Sequence, residues 1–209
     1  MDASLPLLFA FGVGFSHAFE ADHLVAVSNI VTRRDRLMDS LKDGIYWGMG
    51  HTSTILLIGM VMIIGRATFL EGYFGYFEAG VGLMLIGLGI FRLRPLLNKD
   101  REGLAPQTTE HGHDHKLAYG VGLIHGLAGS GALVLLVMTE LSGTVESFLY
   151  LSLFGIGSVV GMLTAASILG LPFTQKLTTH HGWRQGLAIL SSVLCIGYGA
   201  FVMYENLMA

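Results

Sequence analysis

Apolar residues in this chain fall into long runs bounded by charge, and a run of about 20 apolar residues has the length of a membrane-spanning helix. Six spans are predicted: Leu5 to Val31, Gly44 to Gly65, Tyr73 to Phe91, Ala118 to Met138, Ser147 to Phe173 and Gln185 to Met203. The runs fill most of the chain and leave no room for a second globular domain, so the expected fold class is an all-α membrane protein. The N-terminal Met1-Asp2-Ala3-Ser4 lacks the basic region of a signal peptide, and the first run is read as a retained helix.

The polar stretches between the runs set an orientation. Arg33, Arg34, Arg36 and Lys42 lie between spans one and two; Arg92, Arg94, Lys99, Arg101 and Lys116 between three and four; Lys176 and Arg184 between five and six. Eleven of the twelve Lys and Arg thus share one side, with Arg66 alone on the other. Basic loops stay cytoplasmic, which places both termini outside.

The pattern also repeats. Gly12-Val13-Gly14-Phe15-Ser16-His17 matches Gly120-Val121-Gly122-Leu123-Ile124-His125, Gly48-Met49-Gly50 matches Gly155-Ile156-Gly157, and Leu85 to Phe91 matches Cys195 to Phe201, all at an offset of about 110 residues. Three spans per half insert the second half upside down, so a 3+3 inverted repeat is expected, as in many transporters whose site lies at the repeat interface. The expected division is 1–94 for the first repeat, 95–117 for a His-containing cytoplasmic loop and 118–209 for the second repeat. Motifs such as Gly44-x-x-x-Gly48 and Gly157-x-x-x-Gly161 serve close helix packing in any bundle.

Composition agrees and narrows the function. Charged residues make up 13% of the chain against 52% apolar, about half the share of charge in a soluble domain. The net charge of −3 gives no reason to expect nucleic acid as a partner. The one cysteine, Cys195, lies inside an apolar run, which excludes a disulfide framework and a cysteine metal site.

The unusual chemistry sits in span one, which reads His17-Ala18-Phe19-Glu20-Ala21-Asp22-His23. At helical rise His17 falls ~18 Å from the outer end, close to the bilayer midplane. A carboxylate there costs about 2.5–3.5 kcal/mol, and no span contains an interior Lys or Arg to pair with Glu20 or Asp22. A proton, a charged histidine, a polar neighbour or a bound cation must compensate them. Span two adds His51 in Gly50-His51-Thr52-Ser53-Thr54, and span four adds His125. Histidine with carboxylate and no cysteine suits Ni²⁺, Co²⁺ or Zn²⁺, while satisfied structural histidines or a proton relay are the plainer alternative. The candidate metal-site residues are therefore His17, Glu20, Asp22, His23, His51 and His125.

Spacing and geometry conflict here. On a regular helix His17 and His23 point ~120° apart and Asp22 faces away from both. If all three serve one ion, the backbone between Ala18 and Asp22 must leave the α-helix, with Ser16, Thr52, Ser53 and Ser130 as neighbours able to satisfy freed groups. Otherwise one of the three orients a ligand from outside, as carboxylates often do. A further tract, His111-Gly112-His113-Asp114-His115, lies in the loop between spans three and four and can bind Ni²⁺ or Zn²⁺, as a delivery element or as a polar linker.

His17-x-x-x-x-Asp22-His23 resembles the signature helix of the nickel/cobalt transporter family, and Gly50-His51-Thr52-Ser53-Thr54 resembles its second motif. The overall pattern, including His125-Gly126-Leu127-Ala128-Gly129-Ser130-Gly131, is similar to the shorter UreH-type urease accessory membrane proteins. The resemblance implies uptake of Ni²⁺ or Co²⁺ as a transported substrate rather than a resident cofactor. It makes His17, Asp22 and His23 the essential residues, with His51 next. It also implies a multi-pass place in the plasma (inner) membrane, and metallochaperones or urease accessory proteins as cytoplasmic partners. Glu20 departs from the family's usual Asp, there are six spans rather than eight, and span five carries no carboxylate. The expectation is a non-enzymatic transporter; an exporter of the same architecture and an intramembrane metal-dependent hydrolase are the alternatives.

Overall fold

In the computed structural model, residues 4–65, 72–97, 115–140, 143–173 and 181–208 are described, and among them there is helix but no strand. The order is α1 (Ser4–His17), α2 (Ala21–Val31), α3 (Leu37–Gly65), α4 (Phe74–Leu97), α5 (His115–Glu140), α6 (Thr144–Gly170) with a closing 3₁₀ turn (Leu171–Phe173), and α7 (His181–Met208). By length and composition α3, α4, α6 with its closing turn, and α7 from Gly182 can each cross a membrane, and α2 is a shorter apolar helix. Several helices start earlier or end later than the apolar runs: α3 begins at Leu37 rather than Gly44, and α7 reaches Met208 rather than Met203. Backbone hydrogen bonding continues past the apolar stretch into residues whose charged tips reach water, which hydropathy cannot register.

Span one is two helices. After His17 the chain makes two tight turns, with Phe19 N–H donating to Ser16 O and Glu20 N–H to His17 O at 3.0 Å each. Glu20 then adopts an extended conformation (φ −64°, ψ 154°) before α2 begins. The freed backbone is thus met locally by 3₁₀-type bonds. The hydroxyls expected to help are engaged elsewhere: Ser16 donates to Val13 O, Ser53 to Met49 O, and Thr52 to Gly155 O. The Ser130 side chain lies outside the described residues.

Glycines let the helices approach backbone to backbone. A methyl group on Gly14 of α1 would collide with the Phe154 carbonyl of α6, and one on Gly122 of α5 with the Trp47 carbonyl of α3. Gly157 meets Phe11 O in the same way, and Gly50 meets Tyr119 O. With Gly161 against Phe15 O and the Ala18 side chain, and Gly126 against His51 O, the contacts advance together along α1 and α6 and along α3 and α5, so each of those pairs runs parallel. Between α3 and α6, Gly44 lies against Leu163 and Ala166, Gly48 against Val159, and Gly155 against Thr52, so those two helices are antiparallel. The pair α4 and α7 is antiparallel too, with Gly82 against Gly199 and Gly89 against Ser192 and Ile196. Trp47 of α3 and Phe154 of α6, 1% and 2% exposed, are buried against the interrupted span, Trp47 beside His23 and Phe154 beside His17.

A second polar cluster lies at the end of the bundle where the basic residues gather. Arg34, in the α2–α3 connection, donates through Nε and Nη2 to both oxygens of Asp43 (2.5 and 2.8 Å), and His115 at the start of α5 shares Asp43 Oδ1 at 2.8 Å. Asp43 is 1% exposed. His115 also stacks on Tyr46, with ring centroids 5.2 Å apart and planes 4° from parallel. The spacing of His111, His113 and His115 suggests one solvated tract; His115 instead begins α5 and ties it to α3, while His111 and His113 lie outside the described residues.

Candidate metal centre

The break in span one turns the end of α1 and the start of α2 toward α3. His17 and His23 come to 4.5 Å between ring centroids, and each lies close to His51 of α3, at 5.3 and 5.2 Å. One ring nitrogen from each of His17, His23 and His51 falls within 4.8 Å of the other two. His23 and His51 are 1% and 0% exposed, and His17 keeps 12% of its side-chain surface. A regular helix could not have gathered these rings.

Hydrogen bonds decide which nitrogens remain free. Glu20 Oε1 lies 2.8 Å from His17 Nδ1, and Asp22 Oδ1 lies 2.9 Å from His23 Nδ1. An Nδ1–H donating to a carboxylate leaves the Nε2 lone pair available. Those two Nε2 atoms, together with both ring nitrogens of His51, are buried without a hydrogen-bond partner among the described residues. Buried polar atoms normally have partners, and three adjacent rings lacking them is the pattern of a ligand set. Carboxylates on the outer nitrogens are also the usual way of orienting metal-binding histidines.

Asp22 and His125 stand differently. The second oxygen of Asp22 lies 2.8 Å from His125 Nε2, so the carboxylate bridges two histidines on different helices. Asp22, His23 and His125 also bring donor atoms within 4.8 Å, but here the carboxylate oxygens already face ring nitrogens at hydrogen-bond length. The His125 ring lies 4.1 Å from His23 and 6.4 Å from His51. Of the six sequence candidates, then, His17, His23 and His51 converge with free nitrogens, Glu20 and Asp22 grip two of the rings, and His125 braces Asp22 through Nε2 while its Nδ1 is also buried without a partner.

Aromatic walls close the centre. Trp47 stacks on His23 at 5.8 Å and 11°, and Phe154 lies 5.4 Å from His17. Sequence reasoning passed over Trp47, Asp43 and Glu78. Glu78 lies in the third span, and the argument that a carboxylate in an apolar run needs a reason applies to it as it does to Glu20. Asp43 could not be found that way, because the apolar run begins only at Gly44.

An all-helical chain with several membrane-crossing helices and a buried histidine cluster between them belongs to the multi-pass membrane proteins. The particular kinship comes from comparison: the chain is 35% identical to the urease accessory protein UreH of Bacillus sp. (strain TB-90) over 212 aligned positions, covering 92% of this chain and 89% of that protein. It belongs to the UreH family, and so among nickel-related membrane proteins. Partial matches tie it to nickel transporters: 29% identity to the high-affinity nickel transport protein of Cupriavidus necator over 41% of this chain and 25% of that one. The nickel transporter NixA of Staphylococcus aureus matches at 30% over 44% of this chain and 30% of its own length. No family profile matches the chain, and no solved structure does.

Proposed function

We propose that this protein carries Ni²⁺, or Co²⁺, across the plasma (inner) membrane into the cell and is a transporter rather than an enzyme. The observation that carries the reading is the set of three adjacent rings, His17, His23 and His51, each with a buried, unpartnered nitrogen. Imidazole nitrogen is a donor that borderline divalent ions prefer and that Na⁺, K⁺ and Mg²⁺ do not. Glu20 and Asp22 bring two negative charges to the rings' outer nitrogens, so a divalent ion leaves the centre neutral overall. Neutrality matters because an uncompensated charge at this depth is expensive. In this reading His17, His23 and His51 are direct ligands, while Glu20, Asp22 and His125 fix ring orientation. The nickel-transport relatives support the choice of ion.

The same reading takes the fold as a 3+3 inverted repeat of six spans, 1–94 and 118–209, with both termini outside. The glycine contacts support it. Exchange of the halves carries Gly14 against Phe154 O onto Gly122 against Trp47 O, and Gly157 against Phe11 O onto Gly50 against Tyr119 O. Helices α3 and α6, which correspond, are antiparallel, as are α4 and α7. Ions delivered inside would pass to metallochaperones or urease accessory proteins. The deciding experiment is radiolabelled Ni²⁺ flux into proteoliposomes with Co²⁺, Zn²⁺ and Mn²⁺ as competitors. Saturable Ni²⁺ uptake, inhibited by Co²⁺ before Mn²⁺, is expected; absence of both flux and chelator-reversible Ni²⁺ binding would sink the proposal.

A further inference from the structure

Apolar helices α4 and α7 each carry a carboxylate for which the ligand set has no use. Glu78, near the start of α4, is half-buried, and Glu205, near the end of α7, is exposed. Among the described residues no Lys or Arg pairs with either. Both face a cavity of about 380 Å³ whose lining includes His17, Glu20, Asp22, Glu78, Glu205 and Asn206 and contains no Lys or Arg. Four carboxylates around one cavity would repel one another in a place built only for packing. Among its lining residues is His17, whose Nε2 is buried and unpartnered. Behind it lie the free nitrogens of His23 and His51, at most 1% exposed and within 4.8 Å of the His17 donor.

The two ends of the bundle are unlike. The start of α4 and the end of α7 lie on the side with a single basic residue, which the charge bias makes the outside. At the other end Arg34 and His115 hold Asp43, Arg184 bonds Asp35, and Arg92 donates to Thr32 O. The inner half of the α2–α7 seam is closed as well, with Ser28 and Ser191 hydroxyls at 3.0 Å and the Asn29 amide on Ser192 at 3.4 Å. One interface is therefore wide and acidic above the histidines, narrow and uncharged below them.

We propose that the cavity is the route by which a hydrated divalent cation reaches His17 from the outer side, with Glu78 and Glu205 collecting it before it loses water to the histidines. This rests on the transport reading and adds the side and the residues of access. A cleft lined by one sign of charge raises the local concentration of its counter-ion by about tenfold or more. In proteoliposomes oriented with the outer face exposed, the double variant Glu78→Gln, Glu205→Gln should raise the KM for Ni²⁺ about tenfold and leave the rate at saturation near wild type. Added salt should raise the wild-type KM and shrink the difference, because mobile ions screen the carboxylates. Independently, Asn206→Cys should react with a membrane-impermeant thiol reagent from the outside, block flux, and be protected by Ni²⁺. Wild type is the control, since Cys195 is buried. If wild type transports Ni²⁺ but the KM is unmoved in the double variant, or Asn206→Cys reacts only from the inside, the access route is overturned and the transporter stands. If the double variant does not fold, labelling of Asn206→Cys decides alone. A wild-type protein that neither binds nor moves Ni²⁺ overturns the transport reading itself.

Discussion

The two halves of this molecule share a motif and use it for different ends. Gly12-x-Gly14-x-x-His17 and Gly120-x-Gly122-x-x-His125 both press a glycine against a neighbouring carbonyl, and both bring a histidine beside a large aromatic, Phe154 for His17 and Trp47 for His125. Beyond the histidine they part. The first half breaks for three residues, Ala18 to Glu20, and restarts with Asp22 and His23, whereas α5 continues unbroken past Ser130 and Gly131. The break converts a packing motif into a donor cluster, because only there can residues five and six positions apart face one point. Where the helix persists, its histidine meets the centre from the side, against the His23 ring and bonded to Asp22.

That contrast fails most visibly if the histidines prove interchangeable. His23→Ala or His51→Ala removes a free nitrogen and should abolish Ni²⁺ binding, read by titration calorimetry on detergent-purified protein. Asp22→Asn instead removes the partner of a ligand, His23, and His125→Ala the brace on that partner; losses of roughly 10–100-fold in affinity with binding retained are expected, Asp22→Asn being the larger. Complete loss in His125→Ala would make the second half an equal contributor of ligands and undo the asymmetry.

The packing, unlike the chemistry, should be symmetric. Gly14→Ala and Gly122→Ala each drive a methyl group into a carbonyl across a helix contact, and each should destabilise the protein by about 1–3 kcal/mol. Thermal unfolding in detergent should show shifts of similar size. A large shift in one and none in the other would mean that the matched motifs do not make matched contacts.

Much of this was readable from residues alone, for physical reasons that differ by region. The helical segments follow from long apolar runs, since a bilayer tolerates little else. The break is legible because Asp22 and His23 cannot join His17 on a regular helix. The division of labour among the six candidates was not, because whether Asp22 ligates or braces depends on which nitrogen each ring turns toward it, a fact of three-dimensional packing. Glu78 carries the signal of a carboxylate in an apolar run, but Glu205 escapes because its meaning depends on α4 and α7 lying side by side, far from span one in sequence. Asp43 escapes because it sits just before the apolar run that begins at Gly44, where a charge ordinarily needs no explanation.

The smallest expected effect concerns the histidine tract, and it separates His115 from its neighbours. His115 shares Asp43 with Arg34 and stacks on Tyr46, so it joins α5 of the second half to α3 of the first. Replacing it with Ala removes one of the hydrogen bonds to a buried carboxylate that keeps its two bonds from Arg34. The cost should therefore be near that of a single hydrogen bond, about 1 kcal/mol, rather than that of an orphaned charge. His111→Ala with His113→Ala should leave the unfolding temperature where it is and at most weaken the apparent affinity for Ni²⁺ in flux. Equal destabilisation by all three replacements would return His115 to the tract and leave Asp43 held by Arg34 alone. A His115→Ala variant as damaging as Asp43→Asn would instead make this histidine, not the arginine, the main support of Asp43.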